Sequence, residues 1–351
     1  MNFVNIYISK LRPGPDVDWQ HDARAREAYF DRLWAFVATL APAHNSLKAH
    51  VLYQRLAHDR ALGIYDNARL MEYIKLPRNV PYMNQDYLRM RENRDYQANV
   101  QADYRAVTLC PAIVNDEPLV RDFLMRCFVT EDTIERYAPY LNDIYLKETL
   151  AETKILNGIG DMEKWYSVLN NPARYQQIKD RIEIEFAPTD KTFFKPGEPV
   201  GLDVDIKNVK TLIVKVFEIN TFNYYRDNAS EITTGVDLDG LVAGEEKTCA
   251  YADSPMRRVR RHFDFPALDK RRGVFVVEFI GNGKSSRALI RKGQYTYIER
   301  TTTAGHSLAI LDENNKRLTG ASVWLSGHEY KADKDGAMTI PVRCISLILT
   351  R

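Results

Sequence analysis

The sequence predicts a multidomain chain that is α first and β afterwards: an all-helical N-terminal domain, an antiparallel immunoglobulin-like β-sandwich, and an incomplete second β-sandwich. Two observations lead to this. Apolar residues recur at helical spacing from residue 16 to about residue 179, then at a period of two from Ile182 onward. The second half is also broken by turn sequences at intervals of roughly 8–12 residues with no helical pattern between them, which favours antiparallel sandwiches over a parallel sheet. The expected boundaries are 1–180 for the helices, 181–293 for the sandwich and 294–351 for the partial one.

Taking the helical part in order, Phe30, Leu33, Trp34 and Val37 draw one apolar stripe that Pro42 closes. Asn45 or Ser46 is placed to cap the next helix, which runs through Leu47, Val51, Leu52 and Leu56 to a stop at Gly63. Asp116 offers an N-cap, with Pro118 in the first turn, for a helix bearing Leu119, Val120, Phe123, Leu124 and Cys127. Thr133 is expected to open a long helix through Ile134, Tyr137, Leu141, Ile144 and Tyr145 to the Gly158-Ile159-Gly160 break, with a short helix at 161–169 after it. The many aromatics of this half, from Tyr87 to Tyr175, are expected to fill helix contacts.

In the β part, Ile182, Ile184 and Phe186, then Val200, Leu202, Val204 and Ile206, then Val214 and Val216 alternate as strands do. Lys195-Pro196-Gly197, Asp239-Gly240, Gly281-Asn282-Gly283-Lys284, Asn314-Asn315 and Asp335-Gly336 supply turns. Residues 182–293 hold about seven strands, enough for one sandwich of ~100 residues. Beyond Gly293, strands at 306–311, 322–325 and 338–342 would leave a sheet face uncovered, so the natural protein is expected to continue past Arg351 or to be completed by another chain.

Composition bounds the function. Lys plus Arg number 49 and Asp plus Glu 47, so a formal charge of +2 supplies no chain-wide attraction for nucleic acid or anionic lipid. No apolar run is long enough to span a bilayer. The opening residues are interrupted by Asn5, Ser9 and Lys10 and do not form a secretory signal, so either the chain is not exported on its own or it is a piece of something longer. Cys110, Cys127, Cys249 and Cys344 form no paired motif, which argues against a zinc ribbon or a disulfide scaffold; Cys127 reads as a core thiol.

Motifs for chemistry fail on their spacing. Gly281-Asn282-Gly283-Lys284-Ser285 ends like a phosphate loop, but Glu278 stands where a glycine is needed, and the stretch joins two strands. His328-Glu329 lacks its second histidine, since Ala332 stands there; His44, His50 and His58 lack ligand spacing on their helix. A calcium loop begun at Asp333 would need a carboxylate where Cys344 lies. Asn228-Ala229-Ser230 is a formal glycosylation triplet, and no serine or cysteine nucleophile motif is present. No catalytic, cofactor or metal residues are therefore assigned. The strongest local charge feature is the basic cluster Arg257, Arg258, Arg260, Arg261, Lys270, Arg271 and Arg272, a candidate polyanion surface whose ordinary reading is a solvated strand face partly neutralised by Asp264 and Asp269.

Three stretches carry a family resemblance. Thr192-Phe193-Phe194-Lys195-Pro196-Gly197-Glu198-Pro199-Val200 is similar to the opening of macroglobulin-type sandwich domains, and Gly273-Val274-Phe275-Val276-Val277-Glu278 resembles their closing strand. Residues 309–323, followed by Ala332-Asp333-Lys334-Asp335-Gly336, resemble the start of a further such domain. The resemblance is to bacterial alpha-2-macroglobulin-like proteins. It implies a non-enzymatic scaffold, a whole protein that inhibits endopeptidases by entrapment, peptidases or other proteins as partners, no cofactor, and a periplasmic, envelope or extracellular setting. The thioester motif of that family is missing at all four cysteines, and no bait segment can be placed. An adhesion or carbohydrate- or protein-binding sandwich module is the competing expectation, and an enzyme with a site between the helical and β parts is a third. In physical terms, Pro-Gly would turn the chain into an edge strand, and Gly320-Ala321 would be small where strands cross.

Overall fold

The computed structural model describes residues 3–14, 17, 19–20, 22–169 and 171–341. An all-helical part precedes antiparallel sheets that build an immunoglobulin-like sandwich. Two units result, one of Met1–Arg181 with Asp253–Val259, the other of Ile182–Ala252 with Arg260–Arg351.

The helices of the first unit are α1 (Phe3–Leu11), α2 (Ala23–Val37), α3 (Asn45–Ala61), α4 (Asn67–Lys75), α5 (Gln85–Arg89), α6 (Arg91–Arg94), α7 (Arg105–Thr108), α8 (Glu117–Phe128), α9 (Asp143–Asn157), α10 (Met162–Leu169) and α11 (Pro172–Asp180). The stripe on α2 is buried at Phe30, Leu33 and Val37, and Gly63 ends the α3 segment in a left-handed conformation. Helix α9 is buried at every residue from Thr149 to Leu156, so its sequence is apolar or paired on most of its surface.

Several boundaries depart from the sequence expectation, each for a local reason. The helix expected from Thr133 begins only at Asp143, because Pro139 cannot donate to a helical ladder. Asn142 then caps α9, accepting from the amides of Ile144 and Tyr145 at 2.9 and 3.1 Å. Neither Asn45 nor Ser46 caps α3: Asn45 donates to the Tyr96 carbonyl at 2.9 Å, and Ser46 Oγ accepts from the Asn99 amide at 2.9 Å. Pro42 opens a short 3-10 turn after α2 has already ended at Val37.

Asp116 does stand at the N-cap of α8, but its side chain turns inward instead of capping. Its Oδ2 accepts from Arg78 Nη1 at 2.6 Å and from the Tyr73 hydroxyl at 2.7 Å. Arg78 is wholly buried, and Asp116 is 1% exposed. The guanidinium also donates to Tyr82 OH at 2.8 Å and lies 4.1 Å from the Tyr73 ring centroid. Burial pushes the Tyr73 phenol well above its ordinary range, so it stays protonated and donates.

A second buried charge ties α8, α9 and α11. Glu152, 1% exposed, is met by Arg121 at 2.5 Å, Arg181 at 2.7 Å and Arg174 at 3.0 Å. Burial alone would raise its carboxyl, but Arg121, Arg181 and Arg174 outweigh it and hold the group below the usual range.

In the second unit the strands are β1 (Glu183–Phe186), β2 (Phe193–Phe194), β3 (Gly201–Lys207), β4 (Thr211–Ile219), β5 (Glu245–Ala250), β6 (Arg258–Asp264), β7 (Gly273–Gly281) and β8 (Lys284–Lys292), β6 starting in the first unit's segment. A sheet ordered β1-β3-β6 faces one ordered β2-β8-β7-β4-β5, in which the two-residue pairing of β2 with β8 is parallel. Leu202, Val204 and Ile206 alternate inward from β3 to meet Val214, Val216, Phe275, Val277 and Phe279. The Pro196-Gly197 turn leads into β3, which is the central strand of its sheet, not an edge.

The expectation of strands without helices fails between β4 and β5. There α12 (Thr221–Asn228) and the chain after it cover the outer face of the larger sheet, where Ile232, Val236 and Leu238 pack on Phe217, Val274, Val276 and Leu289. With both faces covered, β7 reads as a nearly continuous apolar run.

Beyond the sandwich lie β9 (Thr296–Thr302), β10 (Gly305–Leu311) and β13 (Ala337–Ile340) in the order β13-β10-β9, and a hairpin of β11 (Ser322–Leu325) with β12 (His328–Lys331). The end of the strand expected at 338–342 lies outside the described residues. Gly305, not Gly320, is the tight position: a Cβ there would lie 2.1 Å from the Ile340 carbonyl oxygen, whereas one on Gly320 would meet nothing within 4 Å.

Arg78→Met leaves Asp116 charged and buried, so we predict a loss of about 3–5 kcal/mol in the urea unfolding of the helical signal. The double variant Arg78→Met/Asp116→Leu loses less than the sum of the two single variants. Glu152's depressed carboxyl adds stability that is fully present above its ordinary titration range and is lost as pH falls below that range through the lower folded-state value. Glu152→Gln therefore flattens the acid limb of the melting-temperature profile.

Candidate interaction surface

Alternation along β6 turns Arg258, Arg260, His262 and Asp264 to one face and Val259, Arg261 and Phe263 to the other, with Phe263 in the core. Opposite charges stand on β3. Arg260 forks onto Asp205 at 2.9 and 2.7 Å, a bidentate geometry that fixes orientation although the pair is exposed. His262 lies between Asp203, 2.7 Å from Nδ1, and Asp264, 3.1 Å from Nε2. The hydrogen bond to Asp203 is the main reason its pKa is raised, with Asp264 adding to it.

The remaining cations of the basic cluster are placed by different elements. Arg257 and Arg258 fall in the segment that joins the helical unit, where the Arg257 guanidinium lies against Gly158, the C-terminal stop of α9. Arg261 stacks 3.9 Å from the Tyr251 ring centroid. After a 3-10 turn at Pro266–Leu268 come Lys270, which is exposed, Arg271, paired with Glu218, and Arg272, which forks onto Glu313 at 2.9 and 2.8 Å. Arg272 and the Gln294 amide hold the Glu313 carboxyl down at about 2. Arg260 binds a carboxylate from β3, Arg271 one from β4 and Arg272 one from beyond β10, so these three cations of the cluster are paired.

Exposed aromatics went unnoticed in the sequence. Phe222 on α12 and Trp324 on β11 meet edge to face at 6.0 Å while 53% and 45% exposed. Tyr225 lies one turn from Phe222, and the Arg226 guanidinium sits 5.8 Å from the Phe222 ring. The usable signal was Asn220 as an N-cap with Phe222 and Tyr225 at helical spacing, and Asn220 does accept from the Asn223 amide at 3.1 Å.

The other motifs resolve into structural roles. Gly281 to Lys284 is a two-residue hairpin with Asn282 and Gly283 at positive φ, and it joins β7 to β8 without opening a helix. Asp333 accepts from the amides of Asp335 and Ala337, both at 2.9 Å, as a turn residue does. His50 and His58 are buried on α3, and burial lowers His50 to about 4. Cys110 and Cys127 are buried free thiols, and Cys344 lies outside the described residues. No cluster of three or more metal-ligating side chains occurs among the described residues, and none of their helices is long and apolar enough to cross a membrane.

Helices followed by an immunoglobulin-like sandwich, with paired surface charge and exposed aromatics, define an α-then-β protein of the immunoglobulin-like class. A family model described as the actin-binding protein F N-terminal domain matches residues 1–182, and one described as the AbpF first immunoglobulin-like domain matches residues 212–293. The chain belongs to the actin-binding protein F family. It is 34% identical over 342 residues to "Actin-binding protein F" of Dictyostelium discoideum, an alignment that takes in 97% of this chain and 14% of that protein.

Two crystal structures of Escherichia coli alpha-2-macroglobulin, spanning MG0-NIE-MG1 and NIE-MG1, align with 46% of this chain and with 57% and 87% of theirs. At 15% identity and TM-scores of 0.31 and 0.29, that likeness carries no argument. The family assignment corrects the resemblance to bacterial macroglobulins. It also removes the endopeptidase-trap function, the peptidase partner and the periplasmic, envelope or extracellular setting. The physical reason lies in the motifs: Gly197, Gly273 and Gly336 all sit at positive φ, where turns of any sandwich want glycine.

Because His262's folded pKa is raised, its contribution to stability is present at pH below its ordinary value and lost as pH rises through the folded one; with the ring half exposed, that contribution is small. We predict that an NMR titration places His262 above a free histidine, and that Asp203→Asn lowers it more than Asp264→Asn does.

Proposed function

We propose that this chain acts as a non-enzymatic protein-binding module that contacts actin in a cytoskeletal setting. What supports this is the family match together with the relative's name as an actin-binding protein, across 97% of the chain. Because the chain spans only 14% of that relative, binding by this part is a separate question from binding by the whole. Of the earlier expectations, the protein-binding side of the sandwich-module alternative is the nearest.

Within the second unit, the Phe222 and Trp324 pair is the part of the surface best suited to a protein partner. Large half-exposed rings bury much area at low entropic cost and are typical binding hot spots. The charged face of β3 and β6 suits a rim, because its carboxylates and cations already satisfy each other.

Co-sedimentation of the 351-residue chain with actin filaments tests the proposal. The chain should pellet saturably with filaments, and Phe222→Ala/Trp324→Ala should weaken binding by about tenfold or more, the scale of hot-spot truncation, with an unchanged melting temperature. A chain that stays in the supernatant, with filaments in excess, would contradict it.

A further inference from the structure

We propose that Ser254 is a phosphorylation site for a proline-directed protein kinase, and that the phosphate, once attached, takes Arg257 from the C-terminal end of α9. Ser254-Pro255-Met256-Arg257 joins the two features that such a kinase reads, a proline directly after the serine and a basic side chain two residues further on. It is the only Ser-Pro or Thr-Pro step in the chain. Pro255 also biases the serine before it toward extended backbone, the form in which a chain enters a kinase cleft.

The fold presents this serine at the surface. Asp253–Val259 follows β5 in the chain yet belongs with the helical unit. Met256 is its anchor, 8% exposed within the helical core. Ser254 stands beside that anchor, exposed and in neither helix nor strand. A turn holds it there: the Ser254 carbonyl accepts from the Arg257 amide at 2.9 Å, and its Oγ accepts from the Met256 amide at 3.4 Å. No sheet ladder or helical bond has to break for this turn to open locally, as a low-stability segment does.

The turn also decides where the new charge acts. A β-turn keeps the Cα atoms of its first and fourth residues within about 7 Å, here Ser254 and Arg257. Arg257 is exposed, and its Nη1 occupies the space that a Cβ on Gly158 would need. Gly158 is the C-cap of α9, where unpaired carbonyls carry partial negative charge and favour a cation. A serine phosphate brings a charge of about −1.5 to −2 at pH 7 and three acceptor oxygens, against roughly half a charge at a helix end. Competition for the guanidinium therefore favours the phosphate, and the segment loses one of its contacts with the helices.

The step balances with MgATP as phosphoryl donor. A bond forms between Ser254 Oγ and the γ-phosphorus, the bond from that phosphorus to the β,γ-bridging oxygen breaks, and ADP leaves. The hydroxyl proton passes to the catalytic aspartate of the kinase.

The test incubates the whole chain with MgATP and a cyclin-dependent kinase that is active on a reference peptide. Intact mass should show one added phosphate, and fragmentation should place it on Ser254. Pro255→Ala and Arg257→Glu should each slow incorporation by about tenfold or more, the scale of a lost recognition contact, and Arg257→Lys should retain it. Hydrogen–deuterium exchange of the phosphorylated chain should be faster at Asp253–Val259 and in the last turn of α9, and Arg257→Ala should show the faster exchange with or without phosphate. No incorporation into a chain that melts cooperatively, incorporation that survives Ser254→Ala, or an undiminished rate in Pro255→Ala would each overturn the site. Exchange unaltered by the phosphate would overturn the transfer of Arg257.

Discussion

The helical unit is organised around one buried cation. Arg78 is fully enclosed, and a guanidinium out of water is tolerable only when its charge and donors are all met. Asp116 supplies the charge, Tyr82 a hydroxyl, the Tyr73 ring its face, and Met83 a sulfur at 3.4 Å. The backbone around it is fixed too: Ala98 donates to the Pro77 carbonyl at 2.7 Å and accepts from the Asn79 amide at 3.0 Å. Helices α5, α6 and α7 are each five residues or shorter and have little stability of their own. The stretch between α4 and α8 is therefore held by this cluster and the contacts it orders. Glu152 does the same for the C-terminal helices with three arginines.

The second unit deals with charge in the opposite way, at its surface. Arg260 with Asp205, Arg271 with Glu218 and Arg272 with Glu313 form exposed or half-exposed pairs, each weak as a source of stability. Their effect is to leave a surface without a strong single-sign field, consistent with the near-neutral charge of the chain. On such a surface Phe222 and Trp324, like Tyr295 and Tyr297, are large rings left half exposed.

The order of helices then sandwich was legible because hydrophobic period is set by burial, and burial dominates both halves. Stripes such as Phe30, Leu33 and Val37, or Leu202, Val204 and Ile206, follow it directly. What escaped were places where a local signal was overruled. Asp116 has the sequence of a cap and serves a buried arginine; Tyr137 and Leu141 have helical spacing and share an i to i+4 backbone bond, but the turns around Pro139 do not run on into α9. Helix α12 is only eight residues long and buries none of them fully, and it hid within a strand-like half. The candidate surface was half legible: the run of arginines is visible in sequence, whereas their carboxylate partners arrive from residues 41 to 55 positions away. The family was misread because glycine turns report backbone geometry, which unrelated sandwiches share.

Hydrogen–deuterium exchange of the chain with and without actin filaments tests the central claim most directly, because protection reports where backbone is covered. The account predicts new protection in α12 and in the β11–β12 hairpin. The amides around Arg78 should stay as slow to exchange as they are alone. An exchange pattern unchanged by saturating filaments, or protection confined to the helical unit, would contradict it.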